Sequence, residues 1–444
     1  MRSSWRKGVL RAWLGSAILF LLACPALAEE ELLLLPGKPL NVEQCLAIAL
    51  KYHPNLQVSL ASVEASRARI EQALANYYPQ VSFNTAYSSS TYNLFGAGPF
   101  LVGKTYNWTF YDYWAIGPTL TQTIYDFGRT PNTVQMNREN TKASEQDLIT
   151  TKQTVVLNVK QAYFGLIQAY RIVKVAEDTV KQIQEHLDQA RAFFRAGTVP
   201  EIDVTQSEVD MANAELALIR ARNGLQVAQV TLNNAMGLRR DLSFPIEDTL
   251  EFKEFKIALQ EILQAAYEQR PEILQLKARQ LSQEASLKVA QASYYPVLSG
   301  NASYLFRGIH ADNLYWDMMV GATLTVPLFS GFSSPNQVAE ARATLRNLKA
   351  QEEATRQNVR LEGEQAYLSL KEAEESVRVS EKALAQAQKK YNLATGRYRV
   401  GVGSPLEVTD AEVSLANARV NHIQSLAGYK IAEAKIEKAM GLVR

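Results

Sequence analysis

The sequence predicts a mainly α-helical fold with a small β part, built from one structural unit that occurs twice. Residues 117–238 recur 204 positions later as residues 321–442, most visibly where Ala235-Met236-Gly237-Leu238 returns as Ala439-Met440-Gly441-Leu442. Two long runs, 132–196 and 336–400, contain no proline and indicate long helices. Four short stretches with alternating apolar and polar residues indicate strands. We therefore expect duplicated coiled-coil hairpins and four β-strands per chain.

An earlier block repeats at a different spacing. Pro54 and Tyr77-Tyr78-Pro79 return 217 positions later as Pro271 and Tyr294-Tyr295-Pro296. The two spacings differ by 13 residues, an excess that we assign to a surface loop of the first copy near Asn93–Trp108. Two long copies indicate one duplicated unit rather than a solenoid of many repeats. The predicted organisation is a first repeat at 29–238, a linker at 239–256 and a second repeat at 257–444.

The first 28 residues have the pattern of a signal peptide. Basic residues precede the apolar run Trp13–Ala23, and Ala26-Leu27-Ala28 provides small residues for a cleavage site. An alternative interpretation is a lipobox at Leu21–Cys24, with Cys24 lipidated as the new N-terminus. We expect export and, because Cys45 lies among apolar residues, a buried thiol at that position.

The charge balance excludes one class of partner. The chain has 47 Lys and Arg against 45 Asp and Glu, a formal net charge of +2. A nucleic-acid-binding protein presents a basic face, so we predict no nucleic-acid partner.

The four strands are expected at about 80–90, 113–125, 297–307 and 315–328. In the first, Val81, Phe83 and Tyr87 alternate with Ser82 and Asn84. Strands of about ten residues, apolar on one face and polar on the other, are typical of outer-membrane barrels, and equally of a half-buried soluble sheet. Four strands leave two open edges that lipid does not tolerate. A membrane barrel therefore requires several chains, with eight strands from two chains or twelve from three.

The helical runs carry a coiled-coil seam. Apolar and small residues follow one another at alternating steps of four and three along both copies. In the first copy the positions are Val155, Val159, Ala162, Leu166, Ala169, Val173, Ala176, Val180, Ile183, Leu187, Ala190 and Phe194; the second continues from Val359 to Tyr398. A second stripe with Tyr163, Phe164, Ile167 and Tyr170 indicates neighbours on more than one side.

Each long helix is expected to end in a glycine turn, or tip, at about 197–200 and 401–405. Gly197 and Gly401 suit the left-handed conformation past a helix end, and Pro200 and Pro405 preset the first turn of a returning helix. The returning helices are expected at about 201–235 and 406–440.

No constellation for catalysis, cofactor binding or metal binding is evident. The four histidines are scattered, and we find no phosphate loop, nucleophile elbow or cysteine pair. Acidic residues, among them Glu407 and Asp410, instead begin both returning helices. Such acids favour the helix macrodipole without any other role. If identical chains surround an axis, however, inward carboxylates form a ring that attracts cations.

Together the duplicated helix pairs, two strands per copy and glycine tips resemble the TolC-like outer membrane efflux protein family. The resemblance runs from Leu40-Asn41-Val42-Glu43 to Gly441-Leu442. It implies a homotrimer with a 12-stranded barrel in outer-membrane lipid and an α-helical tunnel that forms a long periplasmic extension. It also implies a passive exit duct, not an enzyme. Its implied partners are a periplasmic adaptor (membrane fusion protein) and an RND or ABC transporter of the inner membrane, in a tripartite efflux pump or a type I secretion system.

The resemblance also assigns roles by position. Glu407 and Asp410 match the family's acidic constriction, Asp203 its partner acid and Tyr398 its gate tyrosine. The adaptor-docking tips correspond to two glycine-turn segments, Gly197, Thr198 and Val199 in the first copy and Gly401, Val402, Gly403 and Ser404 in the second. Gly403 stands where the family has a gate arginine, and Tyr398 also continues the heptad seam, so it can instead pack between helices.

Two other functions remain open from the sequence. A structural periplasmic coiled-coil protein would use the strands as a soluble clasp, and an autonomous general porin would lack adaptor-facing tips. The signal peptide and the aromatic bands at Tyr77–Phe127 and Tyr294–Phe329 favour the exit duct.

Overall fold

The computed structural model describes residues 39–90, 110–238 and 244–442, which form two compact units. The strand unit comprises the described residues of Pro54–Leu157, Lys253–Ser376 and Ile431–Arg444; the turn unit comprises the described residues of Met1–His53, Asn158–Phe252 and Val377–Lys430. The signal peptide, Cys24 and the proposed loop at 93–108 lie outside the described residues.

The helices and strands of the described residues follow the duplicated plan. In chain order they are α1 (Val42–Tyr52), α2 (Pro54–Leu74) with a 3-10 turn (Ala75–Tyr77), β1 (Gln80–Ser90), β2 (Tyr111–Tyr125), α3 (Arg129–Arg195), α4 (Glu201–Met236), α5 (Leu259–Gln269), α6 (Pro271–Ala292), β3 (Val297–His310), β4 (Asn313–Thr325), α7 (Ser333–Arg399) and α8 (Pro405–Ala439).

The strand unit contains one antiparallel sheet in the order β1-β2-β3-β4. Strand β4 ends at Thr325, short of the expected residue 328. The next residues are Val326 and Pro327, and proline has no N–H with which to continue a strand ladder. Strand β3 runs past its expected end at 307 to His310, and its register with β4 shifts between Arg307 and His310.

The strand register places the apolar residues on one continuous face. Directly paired residues of antiparallel strands share a face, and the pairs Phe83–Pro118, Tyr87–Trp114 and Tyr304–Met318 follow this rule. The opposite face is polar, with a hydrogen bond between the Ser82 and Thr119 hydroxyls at 2.8 Å. The alternation predicted from the sequence is therefore present in the sheet, with one apolar and one hydrophilic surface.

Each long helix has the same length, as the duplication predicts. Helices α3 and α7 both contain 67 residues, and the returning helices α4 and α8 contain 36 and 35. At about 1.5 Å per residue, each long helix extends roughly 100 Å. Within the described residues, no helix has the combination of length and apolar character needed to cross a bilayer.

The predicted seam is buried along most of its length. Val159 is fully buried, as are Leu166, Leu187 and Ala190 to within a few per cent, and Val359, Leu370 and Val377 repeat this in α7. Two positions of these patterns are exposed in the single chain: Phe194, the last seam position, is 43% exposed, and Tyr170 of the second stripe is 56% exposed. Phe194 lies in the final turn of α3, where the helix ends and the packing surface with it.

Both copies join their last strand to the long helix through two consecutive residues with positive φ. In the first copy they are Phe127 (φ 52°) and Gly128 (φ 92°); in the second they are Gly331 (φ 61°) and Phe332 (φ 65°). The left-handed region is costly for a phenylalanine and easy for a glycine. The two copies therefore keep the same backbone turn although glycine and phenylalanine have exchanged places.

A buried tyrosine holds the linker of the turn unit in place. The Tyr163 hydroxyl lies 2.7 Å from the Glu247 carbonyl oxygen and 3.2 Å from that of Leu40. Leu40 and Ile246 form a parallel β-bridge, in which Glu247 N–H donates to the Leu40 carbonyl at 3.0 Å. Burial raises the pKa of Tyr163 to about 12, so the phenol keeps its proton and acts as a donor. Cys45, on α1, is fully buried as predicted, and burial raises the pKa of its thiol to about 12.

Candidate functional site

The first tip is a left-handed glycine turn between α3 and α4. Gly197 has φ 72°, and the Thr198 N–H donates to the Phe193 carbonyl at 3.0 Å. This six-to-one hydrogen bond satisfies a carbonyl that the helix end would leave free. Pro200 then precedes α4 in an extended conformation (φ −75°, ψ 160°). The described turn matches the sequence-based expectation at 197–200.

The second tip is closed by the same device between α7 and α8. Gly401 has φ 78°, and the N–H groups of Val402 and Gly403 both donate to the Arg397 carbonyl, at 3.0 and 3.1 Å. A Cβ at Gly403 would lie only 2.9 Å from the Tyr398 backbone nitrogen. The backbone of this turn is therefore pressed against the end of α7, which excludes any side chain at Gly403. Ser404 starts α8 by accepting a hydrogen bond from Glu407 N–H at 3.2 Å.

The second tip exposes large apolar side chains. Val400, Val402 and Leu406 are 73%, 66% and 66% exposed, and Ile202 beside the first tip is 68% exposed. Isolated apolar side chains are normal on a surface, but several grouped at one turn are typical of an interaction site.

The acidic residues of the second tip differ in their pairing. The Arg397 guanidinium donates to Glu407 (Nε to Oε2, 3.3 Å) and to the Val402 carbonyl (3.3 Å). Asp410 is exposed, and within the described residues its carboxylate has no ion-pair partner. Glu407 and Asp410 line an open groove of about 520 Å³ together with Gln386, Lys389, Lys390, Leu393, Ala394 and Arg397. The structure thus brings the two predicted acids into one groove and compensates the charge of Glu407.

Tyr398 lies in the helix seam. It is 5% exposed and packs in a cluster with Ala394, Val408 and Ala411. Its ring centroid is 5.2 Å from that of His186 and 5.8 Å from that of Phe193. Of the two interpretations that the sequence left open, this position corresponds to packing between helices.

Asp203 is close enough to Tyr398 to affect its ionisation. Burial raises the pKa of Tyr398, and the negative charge of Asp203 raises it further. Asp203 is half-buried in the first turn of α4, where a carboxylate also favours the macrodipole. The four proposed gate residues therefore divide into two groups: Glu407 and Asp410 in the open groove, Asp203 and Tyr398 at the packed seam.

Sequence reasoning missed one charged residue of this region, Arg397, and the burial of another, Glu412. Arg397 pairs with Glu407 across the turn, ten residues away, a contact that requires the turn to close. Glu412 is 6% exposed. Its position could have been found from the spacing, because Glu412 lies four residues after Val408 and three before Leu415, both of which are buried at heptad spacing.

Metal coordination is not supported in the described part of the chain, where no group of three or more His, Cys, Asp or Glu side chains could hold an ion. His186 and His422, the two helical histidines, are buried and half-buried respectively.

A duplicated chain of paired helices and two-stranded segments, with glycine tips, defines a class of outer-membrane transport protein without enzymatic activity. A model of the outer membrane efflux protein family matches residues 46–238 and 262–442, one match for each repeat. The chain belongs to this family, and with it to the outer membrane.

The chain resembles several curated relatives at low identity. It is 23% identical over 421 residues to the outer membrane protein TolC of Escherichia coli, covering 90% of this chain and 82% of that protein. It is 24% identical over 418 residues to the probable efflux pump outer membrane protein TtgC of Pseudomonas putida, with the same coverage of 90% and 82%.

Solved structures share the fold. The CmeC outer membrane channel of Campylobacter jejuni superposes with a TM-score of 0.79 at 20% identity, covering 90% of this chain and 85% of that one. A CusC structure gives a TM-score of 0.76 at 21% identity, covering 90% and 92%.

Proposed function

We propose that this chain is one subunit of a trimeric exit duct, which passively conducts substrates out of the cell in a tripartite efflux pump or a type I secretion system. The observation that carries this proposal is the four-stranded sheet, which has one apolar face and two open edges. The names of the relatives, an efflux pump component among them, support the transport class.

The apolar face of the sheet suits lipid rather than a protein core. In the isolated chain Phe83, Val320 and Trp316 are 70%, 70% and 68% exposed. Exposure of these three side chains to water is unfavourable, because burial of apolar area gains roughly 25 cal/mol per Å². The polar face, with Ser82, Asn84 and Thr119, suits a water-filled lumen.

Open edges limit how such a sheet can enter a membrane. Among the described residues, strands β1 and β4 each present one unpaired edge, and unpaired backbone groups are not tolerated in hydrocarbon. Pairing β1 of one chain with β4 of the next closes the sheet. Three chains contribute twelve strands, a barrel wide enough for an aqueous pore.

A second feature of the turn unit also calls for neighbouring copies. Helix α4 exposes Ile202, Val209 and Leu216 at seven-residue spacing, and α7 exposes Val379 and Leu393, two such spacings apart. Heptad-spaced apolar residues that are left exposed in one chain are a coiled-coil seam awaiting another helix. A second copy of the chain provides that helix, so the helices as well as the strands form a closed wall.

The energy and the choice of substrate are supplied by partners. The wall described here contains no nucleotide-binding motif, so transport is driven by an inner-membrane transporter of the RND or ABC type. A periplasmic adaptor connects the two, and the exposed apolar residues of the tips, Val400, Val402 and Leu406, are its docking surface.

The oligomeric state gives the first test. The purified protein in detergent, measured by light scattering coupled to gel filtration, should have the protein mass of three chains and should shift to one chain on heating. Deletion of the gene should reduce efflux or secretion, and reintroduction of the gene should restore this transport. A mass of one or two chains contradicts the twelve-stranded barrel, and protein recovered in the soluble periplasmic fraction favours the structural coiled-coil alternative.

The tip charge gives the second test, on the reconstituted trimer in planar bilayers. Asp410→Asn should lower cation selectivity or divalent-cation block more than Glu407→Gln, because Arg397 already compensates Glu407. Arg397→Ala should raise cation selectivity, since it leaves both carboxylates uncompensated. Glu215→Gln, an exposed acid further along α4, is the matched control. Identical selectivity in all four variants excludes the acidic ring.

A further inference from the structure

A carboxylic acid is buried in the helix seam of the turn unit. Glu412 on α8 is 6% exposed, with the fully buried Ala411 before it and Leu415, 1% exposed, one turn further. Within the described residues it forms no hydrogen bond and no ion pair. A buried ionised carboxylate without a partner is strongly unfavourable, so the protonated form is the one that fits this position.

The groups around Glu412 come from all four helices of the turn unit that meet there. On α4, the charge of Asp210 acts on Glu412, and the Asp210 carboxylate accepts hydrogen bonds from Gln206 (3.0 Å) and from Thr409 of α8 (3.2 Å). Tyr391 of α7 feels the charges of Glu412, Glu185 of α3 and Arg399. The Asp210 carboxyl group is therefore held by two hydrogen bonds, whereas that of Glu412 has none within the described residues.

A buried histidine belongs to the same cluster. His186 of α3 is 6% exposed, and within the described residues its Nε2 has no hydrogen-bond partner. Burial lowers the pKa of His186, while the charge of Asp210 opposes this shift. The imidazole therefore remains neutral near neutral pH and does not compensate the carboxylates.

We propose that Glu412 is a proton-operated switch of the helix packing behind the two tips. With the proton bound, α8 packs closely on its neighbours. Loss of the proton puts a negative charge on Glu412 beside the Asp210 carboxyl group, where within the described residues neither side chain forms an ion pair, and the seam opens to let water reach Glu412. Acidification closes the seam and a rise in pH loosens it.

The direction of the pKa shift agrees with this arrangement. Burial, followed by the charge of Asp210, raises the pKa of Glu412 from 4.5 to about 7. In the opened seam the carboxyl is hydrated and returns towards its ordinary value. At a pH between the pKa of the opened seam and that of the closed seam, opening therefore releases one proton. In that pH window the equilibrium constant for opening rises about tenfold per pH unit, and above the window it becomes constant.

Hydrogen exchange on the full-length protein in detergent tests the switch. Exchange of the α8 segment 408–416, corrected for the intrinsic pH dependence, should show the one-proton slope below about pH 7. Glu412→Gln should remove the slope and keep the segment protected. Asp210→Asn should move the levelling point to lower pH, because it removes the repulsion. Glu215→Gln, an exposed acid on α4, should behave as the unmodified protein.

The proposal is overturned if exchange of segment 408–416 in the unmodified protein lacks the one-proton pH dependence, or if Glu412→Gln keeps that dependence unchanged. If Glu412→Gln does not assemble, the shift in Asp210→Asn decides alone, and an unchanged levelling point there overturns it. The packing inference does not depend on transport, whereas its effect on channel opening rests on the proposed duct. A parallel pH series of bilayer conductance separates the two: the exchange slope without any conductance upholds the packing switch and tells against the duct.

Discussion

Removing one hydroxyl should loosen the linker of the turn unit without disturbing its core. Tyr163 on α3 is fully buried, and its hydroxyl donates to the Glu247 carbonyl at 2.7 Å, with the Leu40 carbonyl at 3.2 Å. Tyr163→Phe keeps the ring and removes this donor. The Leu40 carbonyl retains a second donor, the Glu247 N–H at 3.0 Å. Of the two carbonyl groups, only that of Glu247 therefore loses its hydrogen-bond donor.

The free-energy cost of Tyr163→Phe follows from the loss of this single hydrogen bond. One lost hydrogen bond to a carbonyl that water can partly reach costs about 1 kcal/mol, the lower end of the range for an unsatisfied buried group. That free energy corresponds to a roughly fivefold rise in local opening. Tyr163→Ala removes the ring as well and should cost about 3–5 kcal/mol, as truncation of a buried aromatic side chain does.

Amide hydrogen exchange at Leu40 and Glu247 measures the opening directly, because their N–H groups form the bridge. Tyr170→Phe is the matched control: it lies two turns further along α3, is 56% exposed and should leave both amides unchanged. Equal protection of both amides in Tyr163→Phe and in the unmodified protein would refute the role of the hydroxyl. An effect as large as that of Tyr163→Ala would show that the ring has moved and would refute the calculation.

Three further predictions concern backbone geometry and pH. Gly117→Ala should destabilise the sheet by about 2 kcal/mol or more, because Gly117 has φ +155° and a Cβ there overlaps a carbonyl oxygen of β3. The measurement is the heat resistance of the assembled protein, which should fall. The control is Gly321→Ala at the equivalent position of the second copy, where a Cβ has room and the change should be near neutral. Gly237→Ala should lower the urea midpoint by the equivalent of about 1 kcal/mol, since Gly237 has φ 73° at a helix C-terminus, whereas Gly224→Ala inside α4 should raise it by a similar amount. Raising the pH from 4.5 to 7 should cost about 3 kcal/mol of stability through Glu412, whose folded-state pKa lies above its unfolded value, and urea titrations of Glu412→Gln should lack this component.

Periodicity gave most of the fold. The four-three spacing of Val155, Val159 and Leu166 predicted buried positions, and they are buried, because a heptad seam needs only regular spacing and a neighbouring helix. The strand alternation predicted both faces of the sheet for the same reason. Phe194 and Tyr170 belong to the same patterns and are exposed in the single chain, since a spacing does not state which chain supplies the neighbouring helix.

The tips were less predictable than the helices that lead to them. Gly197 and Gly401 indicated the turns because φ above zero favours glycine at a helix end. The pairing of Arg397 with Glu407 depends on how far the closed turn brings two side chains back together, which no local spacing encodes. The burial of Glu412 could be predicted from the spacing of Val408 and Leu415, but the charged groups that act on it come from other helices, which no local spacing encodes.

The open edges of the four-stranded sheet have a genetic consequence. Every chain in a closed ring must offer one edge to the neighbour on each side, so a ring with a single faulty edge does not close. For the proposed three-chain ring, a cell that makes normal and edge-damaged subunits in equal amount builds only about one ring in eight without a damaged subunit. A proline inserted in β4 should therefore act as a dominant mutation, and the unassembled chains, with both edges and the apolar face exposed, should be substrates for periplasmic proteases and chaperones.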